Sequence, residues 1–201
     1  MIDVLAVTTM QREMVERWHR QPVDNPYEGW LGIACQQHAF NFQLWHEEDI
    51  ARSPDVGDQR VAQVKRAIDK YNQQRNDYIE KLDDWLTDWL QSQQITPFEG
   101  ARLNTETSGS VIDKLSILSL RIFHLREQTE RTDATREHIE SVQRKLAVCF
   151  VQFDDLSQSL RELLEDIAAG NKRHRTYRQY KMYNDPALNP YLYKAQHQPQ
   201  Q

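Results

Sequence analysis

The amino-acid sequence predicts an all-α protein, an antiparallel bundle of about five long helices with a basic C-terminal tail packed on it. Three observations support this prediction. Glycine and proline are scarce, with six and seven among 201 residues, and residues that favour helices are abundant. Apolar residues between positions 139 and 167 recur in steps of three and four, as in a helix that packs in a bundle. Residues from about 56 to 93 carry apolar side chains along one side of a helical wheel, and they predict one unbroken helix of about 55 Å.

Capping residues and chain breaks divide the sequence into five predicted helices. Thr8 or Thr9 is a candidate N-cap of the first helix, and Pro26 suits the first turn of the second. Gly170 is expected to end the fifth helix. The predicted helices cover residues 8–20, 26–52, 56–93, 110–131 and 132–169.

The fifth predicted helix has the most regular apolar face of the chain. An uninterrupted face of this kind is typical of a helix that packs against neighbours over its whole length. Its residues are Ile139, Val142, Leu146, Cys149, Phe153, Leu156, Leu160, Leu163 and Ile167.

Length and charge limit the class of protein. We expect residues 1–185 to form a single helical-bundle domain and residues 186–201 to form a partly disordered C-terminal tail. A net charge of −5 makes nucleic acid an unlikely partner for the surface as a whole. No apolar window approaches the roughly 20 residues of a membrane span, so no membrane association is expected.

The two cysteines and the first residues predict a cytoplasmic protein. Cys35 and Cys149 lie in separate predicted helices and lack the spacing of metal ligands, which suits a reducing compartment. Residues 1–14 have no basic segment and too short an apolar run for a signal peptide.

Polar side chains interrupt the apolar faces of three predicted helices. Arg75 lies within the apolar stripe of the third helix, where an unpaired buried charge would cost several kcal/mol. The short turn before this helix makes the second helix its antiparallel neighbour, so Asn41 should lie level with residues 69–73. Arg126 should reach the same region from the fourth helix. The candidate ligand-binding residues are Arg75, Asn76, Asp77, Asn41, Asn72, Glu48, Asp49 and Arg126, with no catalytic residue assigned and no metal ligand predicted.

This polar region also fits two interpretations that involve no ligand, and both stay open. A ridge of acids and amides on a long helix is usually a solvated face that keeps the protein dissolved. Arg75 and Asn41 could equally form a structural network that sets the register of the bundle.

Three stretches resemble one bacterial family. They are LWHEEDIAR at 44–52, KRAIDKYNQQRNDYIEKLD at 65–83 and ETSGSVIDKLSILSLRIFHLREQ at 106–128. Together with the KMYNDPALNP segment they resemble the family called domain of unknown function 4254 over roughly residues 10–185. The resemblance implies an all-helical protein without an assigned biochemical role, and a loose association of such genes with cell-surface glycan synthesis.

The favoured function is the binding of a small anionic ligand, such as a phosphate or a sugar nucleotide. Arg75 and Arg126 could clamp the anion in a bidentate manner while Asn41, Asn72 and Asn76 orient it. The sequence leaves open whether the protein is an enzyme or a binding module.

Two metal-dependent alternatives fit the sequence less well. All-helical nucleotide pyrophosphohydrolases hold Mg²⁺ with EExxE and ExxD motifs, and Glu47-Glu48 with Glu80-x-x-Asp83 is similar but lacks the third acid of EExxE. Mg²⁺ or Mn²⁺ would be the cofactor of such a site. A di-iron carboxylate bundle needs two ExxH motifs, and Glu16-x-x-His19 is the only one. In the cases of His46 and His124 the acid follows three residues later, in the reverse order.

An interaction or scaffold protein is the remaining alternative. Residues 171–181 contain five basic side chains and no acid, interleaved with tyrosines that could stack on a partner. Docking of this segment on the acidic bundle is the favoured interpretation, and the sequence leaves a homodimer open.

Overall fold

The structure is a computed structural model that describes residues 1–195, without the side chains of Tyr183 and Ala195. It confirms the all-α fold: five long helices form the bundle, and a short sixth helix lies in the C-terminal tail. The elements in chain order are α1 Val4–Trp18, α2 Gly29–Arg52, α3 Asp58–Ser92, β1 Arg102–Leu103, α4 Ser108–Thr129, α5 Arg136–Ala168, β2 Lys172–Arg173, a 3₁₀ turn Met182–Asn184 and α6 Pro190–Ala195. The rest of the predicted C-terminal tail, residues 196–201, lies outside the described residues.

Two helical hairpins and the first helix make up the bundle. A turn of five residues joins α2 to α3, and these two helices pack against each other along most of their length. The second hairpin is α4 with α5, and α1 packs against α2, α4 and α5. The continuous core formed in this way includes the fully buried residues Val7, Ala34, Leu82, Ile112, Leu115 and Leu160.

The periodic face of the fifth predicted helix is the inner face of α5. Val142, Cys149, Leu160, Leu163 and Ile167 are all buried. The continuous spacing in steps of three and four therefore predicted which side of α5 packs against the bundle.

Helix starts differ from the predicted ones by a few residues. Asp3 is the N-cap of α1, and its Oδ1 accepts the backbone N–H of Leu5 at 2.9 Å. Thr8, expected to be a cap, lies inside α1 and donates its hydroxyl to the Val4 carbonyl at 2.9 Å. Thr107 and Thr135 cap α4 and α5 in the same manner as Asp3. At α1, α4 and α5 the side chain that reaches the first free backbone N–H groups sets the helix start, whereas α2 and α3 begin without a side-chain cap.

Asp83 and Gly109 join α3 to the start of α4. The Oδ1 atom of Asp83 accepts the backbone N–H of Gly109 at 2.8 Å, so a residue of α3 satisfies a free donor at the N-terminus of α4. A Cβ atom on Gly109 would stand 2.5 Å from the carbonyl oxygen of Ile79. The two helix backbones can approach this closely only because position 109 has no side chain.

The C-terminal tail folds back over α3. After Gly170, which has a φ of +78°, β2 pairs in parallel with β1. Arg178 then forms ion pairs with Glu80 at 3.1 Å and Asp84 at 2.8 Å, and Asn184 donates to Gln73 at 3.3 Å. The basic tail is thus packed on the acidic side of the bundle, as the charge distribution of the sequence predicts.

None of the helices within residues 1–195 combines the length and the apolar character that a membrane-spanning segment needs.

Candidate functional site

A buried carboxylate lies at the centre of a polar network between α2, α3 and α4. Oδ1 of Asp113 accepts hydrogen bonds from Gln37 Nε2 at 2.5 Å and Asn41 Nδ2 at 2.9 Å. The Nε atom of Arg75 lies 3.9 Å from the same oxygen, which is ion-pair distance but too long for a hydrogen bond. Burial raises the pKa of Asp113, and the Arg75 guanidinium and the two amides offset part of that effect.

His38 extends this network to α1. Its Nε2 lies 2.9 Å from the Gln11 carbonyl, which can only accept, so Nε2 must be the protonated nitrogen. Nδ1 is then left to accept the Ser116 hydroxyl at 2.6 Å. Complete burial lowers the pKa of His38 to about 3, although the bond to Gln11 opposes this shift. His38 is therefore a neutral structural residue at physiological pH.

The burial of neutral His38 predicts a specific pH dependence of stability. Its folded-state pKa of about 3 is below the unfolded value of about 6.5. The stabilising effect is therefore present above pH 6.5 and is lost as the pH falls towards 3, by up to about 1.4 kcal/mol per pH unit. We expect His38→Gln to show a flatter profile than the wild type in urea unfolding between pH 7.5 and 5. Identical slopes for the two proteins would contradict the assignment.

A cavity of about 420 Å³ lies beside this network, between α2, α3 and α4. Its apolar lining residues are Leu44, Trp45, Ile68, Ile117 and Leu120. Arg52 at the rim is paired with Glu48 at 2.5 Å. The polar residues that line the cavity are Asn41, Glu48, Asp49, Arg52, Asn72 and Arg75.

Arg75 and Asn72 line the cavity, and each has a side-chain donor without a hydrogen-bond partner among the described residues. The Nε atom of Arg75 is buried and has no hydrogen-bond partner among the described residues. The Asn72 amide likewise makes no hydrogen bond within residues 1–195. Burial lowers the pKa of Lys181 in the C-terminal tail, the positive charge of Arg75 lowers it further, and Asp77 and Asp69 oppose the shift. The charges of Lys181 and Arg75 therefore repel each other, and an anion bound near Arg75 would reduce that repulsion.

The structure brings together five of the eight candidate residues named from the sequence. Asn41, Asn72, Arg75, Glu48 and Asp49 all line the cavity. The other three candidates are not among its lining residues: Asn76 is buried, Asp77 is exposed and bonded to Gln73, and Arg126 is exposed with its guanidinium over the ring of Phe150.

Sequence reasoning missed the two acceptors that α4 contributes to the network. Asp113 and Ser116 follow Ile112 and precede Leu118 on a helix whose apolar residues dominate. A carboxylate inside that apolar run was the available signal, since a buried acid usually marks a paired or hydrogen-bonded group.

The carboxylates proposed for a magnesium site have other partners. Glu80 pairs with Arg178 and accepts the backbone N–H of Gln179, while Asp83 accepts that of Gly109. Neither lines the cavity that contains Glu48. Among residues 1–195 no three carboxylates converge as a hard cation requires.

A protein-family model matches most of the bundle. Residues 32–176 match the family model described as Protein of unknown function (DUF4254). The chain belongs to the DUF4254 family. The matched region contains most of α2 and all of α3, α4 and α5, and thus every residue that lines the cavity of this DUF4254 member. No curated protein and no solved structure gives a significant match to the chain.

Proposed function

We propose that this protein binds a small phosphorylated polar molecule, such as a sugar phosphate or part of a sugar nucleotide, in the cavity between α2, α3 and α4. The main support is the state of Arg75, whose buried Nε lacks a hydrogen-bond partner among the described residues. A donor left unsatisfied in a buried position costs free energy that a ligand can recover.

The charges near Arg75 favour an anionic group at that end of the cavity. Arg75 offers a planar set of donors that matches phosphate oxygens, and Lys181 adds a second positive charge. Asp113 is the nearest negative partner of Arg75, but at 3.9 Å it does not accept a hydrogen bond from the Arg75 Nε. A phosphate group would therefore replace weak contacts with charge-assisted hydrogen bonds.

The rest of the cavity suits a polyhydroxylated group. The amides of Asn41 and Asn72 can donate or accept, while Glu48 and Asp49 can accept hydroxyl donors. Trp45 and the aliphatic side chains Leu44 and Ile68 supply an apolar surface for the C–H face of a sugar ring. A volume of about 420 Å³ lies within the usual range of small-molecule sites.

A thermal-shift titration with sugar phosphates, sugar nucleotides and inorganic phosphate tests this proposal. A ligand at 100 times its Kd stabilises by about 2.7 kcal/mol, which raises the midpoint of a protein of this size by roughly 5–10 °C. We expect Arg75→Leu and Asn72→Ala to abolish the shift, each measured against its own ligand-free midpoint. Asn72→Ala leaves the Arg75–Asp113 pair intact. A ligand shift lost in this variant therefore reports lost binding and not the loss of that ion pair.

Arg66→Leu is the matched control, because Arg66 is an exposed arginine on the same helix and does not line the cavity. A shift that survives in both cavity variants, or one that is lost equally in the control, would contradict the proposal. So would the absence of any shift across the three classes of ligand.

We also propose a cytoplasmic location. Cys35 and Cys149 are both free and buried, and burial raises the pKa of the Cys35 thiol to about 12. A thiol that stays protonated is unreactive, and two free thiols suit a reducing compartment, where no disulfide is needed.

A further inference from the structure

Three histidines from three different helices meet on the side of α2 next to the cavity. They are His19 at the C-terminal end of α1, His46 of α2 and His124 of α4. One ring nitrogen of each lies within 4.8 Å of a ring nitrogen of the other two. This is the one group of three or more His, Cys, Asp or Glu side chains within residues 1–195 that is close enough to share a metal ion.

Hydrogen bonds set the same tautomer in all three rings. Nδ1 of His19 lies 2.7 Å from the Val15 carbonyl, and Nδ1 of His46 lies 2.8 Å from the Phe42 carbonyl. A carbonyl only accepts, so both Nδ1 atoms must be protonated. Nδ1 of His124 lies 2.7 Å from a carboxylate oxygen of Glu127, which also accepts its proton. Each neutral ring therefore has its free lone pair on Nε2.

Two of the three Nε2 atoms lack a hydrogen-bond partner within residues 1–195. Nε2 of His19 and Nε2 of His124 are buried, and neither has a hydrogen-bond partner among the described residues. Two buried polar atoms without partners in one place require an explanation. A ligand that accepts lone pairs from both would provide it.

Aromatic rings enclose the cluster. Phe123 stacks on His19 with ring centroids 4.1 Å apart, and Phe42 lies 4.3 Å from His46. Trp45 stacks on His124 at 5.0 Å with an interplanar angle of 12°. These rings pack against the imidazoles and hold them in place, while each of the three histidines keeps part of its surface exposed. Imidazole rings held with a free Nε2 lone pair are in the form that metals bind.

We propose that His19, His46 and His124 bind a divalent transition metal ion of the zinc class through their Nε2 atoms. Imidazole nitrogens favour zinc, copper or nickel over magnesium or calcium, which prefer oxygen. The pattern of three histidines with each Nδ1–H held by a carbonyl or carboxylate is that of a zinc site with an outer shell of hydrogen bonds. Three protein ligands leave a fourth position for water or an exogenous ligand.

Small side-chain movements would complete the geometry. Zinc–nitrogen bonds of about 2.1 Å at tetrahedral angles place the ligand atoms about 3.4 Å apart. The histidine nitrogens lie within 4.8 Å of one another, so a shift of each ring by about 1 Å closes the difference. This proposal is independent of the anion site, although Trp45 belongs to both the histidine cluster and the cavity wall.

Metal titration of the tag-free protein tests the site. After removal of bound metal by a chelator, we expect calorimetry with Zn²⁺ to show one site per chain. Co²⁺ should give visible absorption bands typical of nitrogen ligation in a four-coordinate site. His46→Ala and His124→Ala should each weaken Zn²⁺ binding by at least about 100-fold, and Glu127→Gln, which keeps all three ligands, by about 10-fold.

His138→Ala is the matched control, because His138 is exposed on α5 and outside the cluster. Circular dichroism of each variant establishes that it is folded before titration, and Glu127→Gln serves where a ligand variant does not fold. Zn²⁺ affinity unchanged in His46→Ala, equal loss in His138→Ala, or no binding by the wild type would overturn the proposal.

Discussion

Replacing Asp113 by leucine is expected to lower the free energy of unfolding by about 3–5 kcal/mol. The substitution keeps the number and branching of the side-chain heavy atoms but removes the acceptor shared by Gln37 and Asn41. Both amides would remain buried without that partner, and Arg75 would lose the carboxylate that lies 3.9 Å from its Nε. Urea denaturation of the purified variant measures the effect.

Asparagine at position 113 distinguishes the effect of the hydrogen bonds from the effect of the negative charge. Asp113→Asn keeps an oxygen that can accept from both amides, so we expect its stability at pH 7 to stay within about 1 kcal/mol of the wild type. Because burial raises the folded-state pKa of Asp113, its carboxyl group stabilises most at low pH, and that contribution is lost as the pH rises through the folded pKa. Asp113→Asn should therefore gain stability relative to the wild type as the pH rises. Equal losses in the asparagine and leucine variants would contradict this account of the network.

Gly109→Ala should destabilise the protein by about 2–3 kcal/mol, although alanine has the higher helix propensity. The new Cβ would stand 2.5 Å from the Ile79 carbonyl oxygen and 3.0 Å from the Asp83 carboxylate. The Ile79 carbonyl belongs to the backbone of α3. It cannot move aside unless α3 moves away from α4. The clash also disturbs the hydrogen bond from Gly109 N–H to Asp83. Thermal and urea unfolding measure the change.

Gly57→Ala is the control for this substitution. Gly57 precedes α3, and a Cβ atom there would meet nothing within 4 Å. Since glycine is only moderately better than alanine at an N-cap, we expect a loss below about 1 kcal/mol. Similar losses in the two variants would show that the close approach of α3 and α4 does not determine the effect at position 109.

The fold could be predicted because its determinants are local. The buried face of α5, for example, could be predicted from the spacing of its apolar residues alone, since Val142, Cys149 and Leu160 recur at helical intervals. Exact helix starts were harder to predict, because Asp3 and Thr107 act through only one or two hydrogen bonds each, and equally plausible caps lie nearby.

The candidate site could be predicted only where a polar residue interrupts an apolar pattern. Arg75 and Asn41 are such interruptions, and both line the cavity. The histidine cluster has no comparable signal. Its members come from three helices, and their proximity depends on how α1 and α4 pack across α2, which helical periodicity does not specify. The electrostatic effect of Arg75 on Lys181 likewise depends on the path of the tail, which helical periodicity does not specify.

The C-terminal tail that covers α3 is synthesised well after α3 itself. Arg178, which ties the tail to α3, follows its partner Glu80 by 98 residues. At a synthesis rate of about 5–20 residues per second, α3 leaves the ribosome roughly 5–20 seconds before the segment that covers it. During this interval the acidic side of α3 is open to solvent and Arg75 lacks the additional positive charge of Lys181. The nascent bundle can therefore form its core first and acquire its full anion-binding charge only when translation is nearly complete.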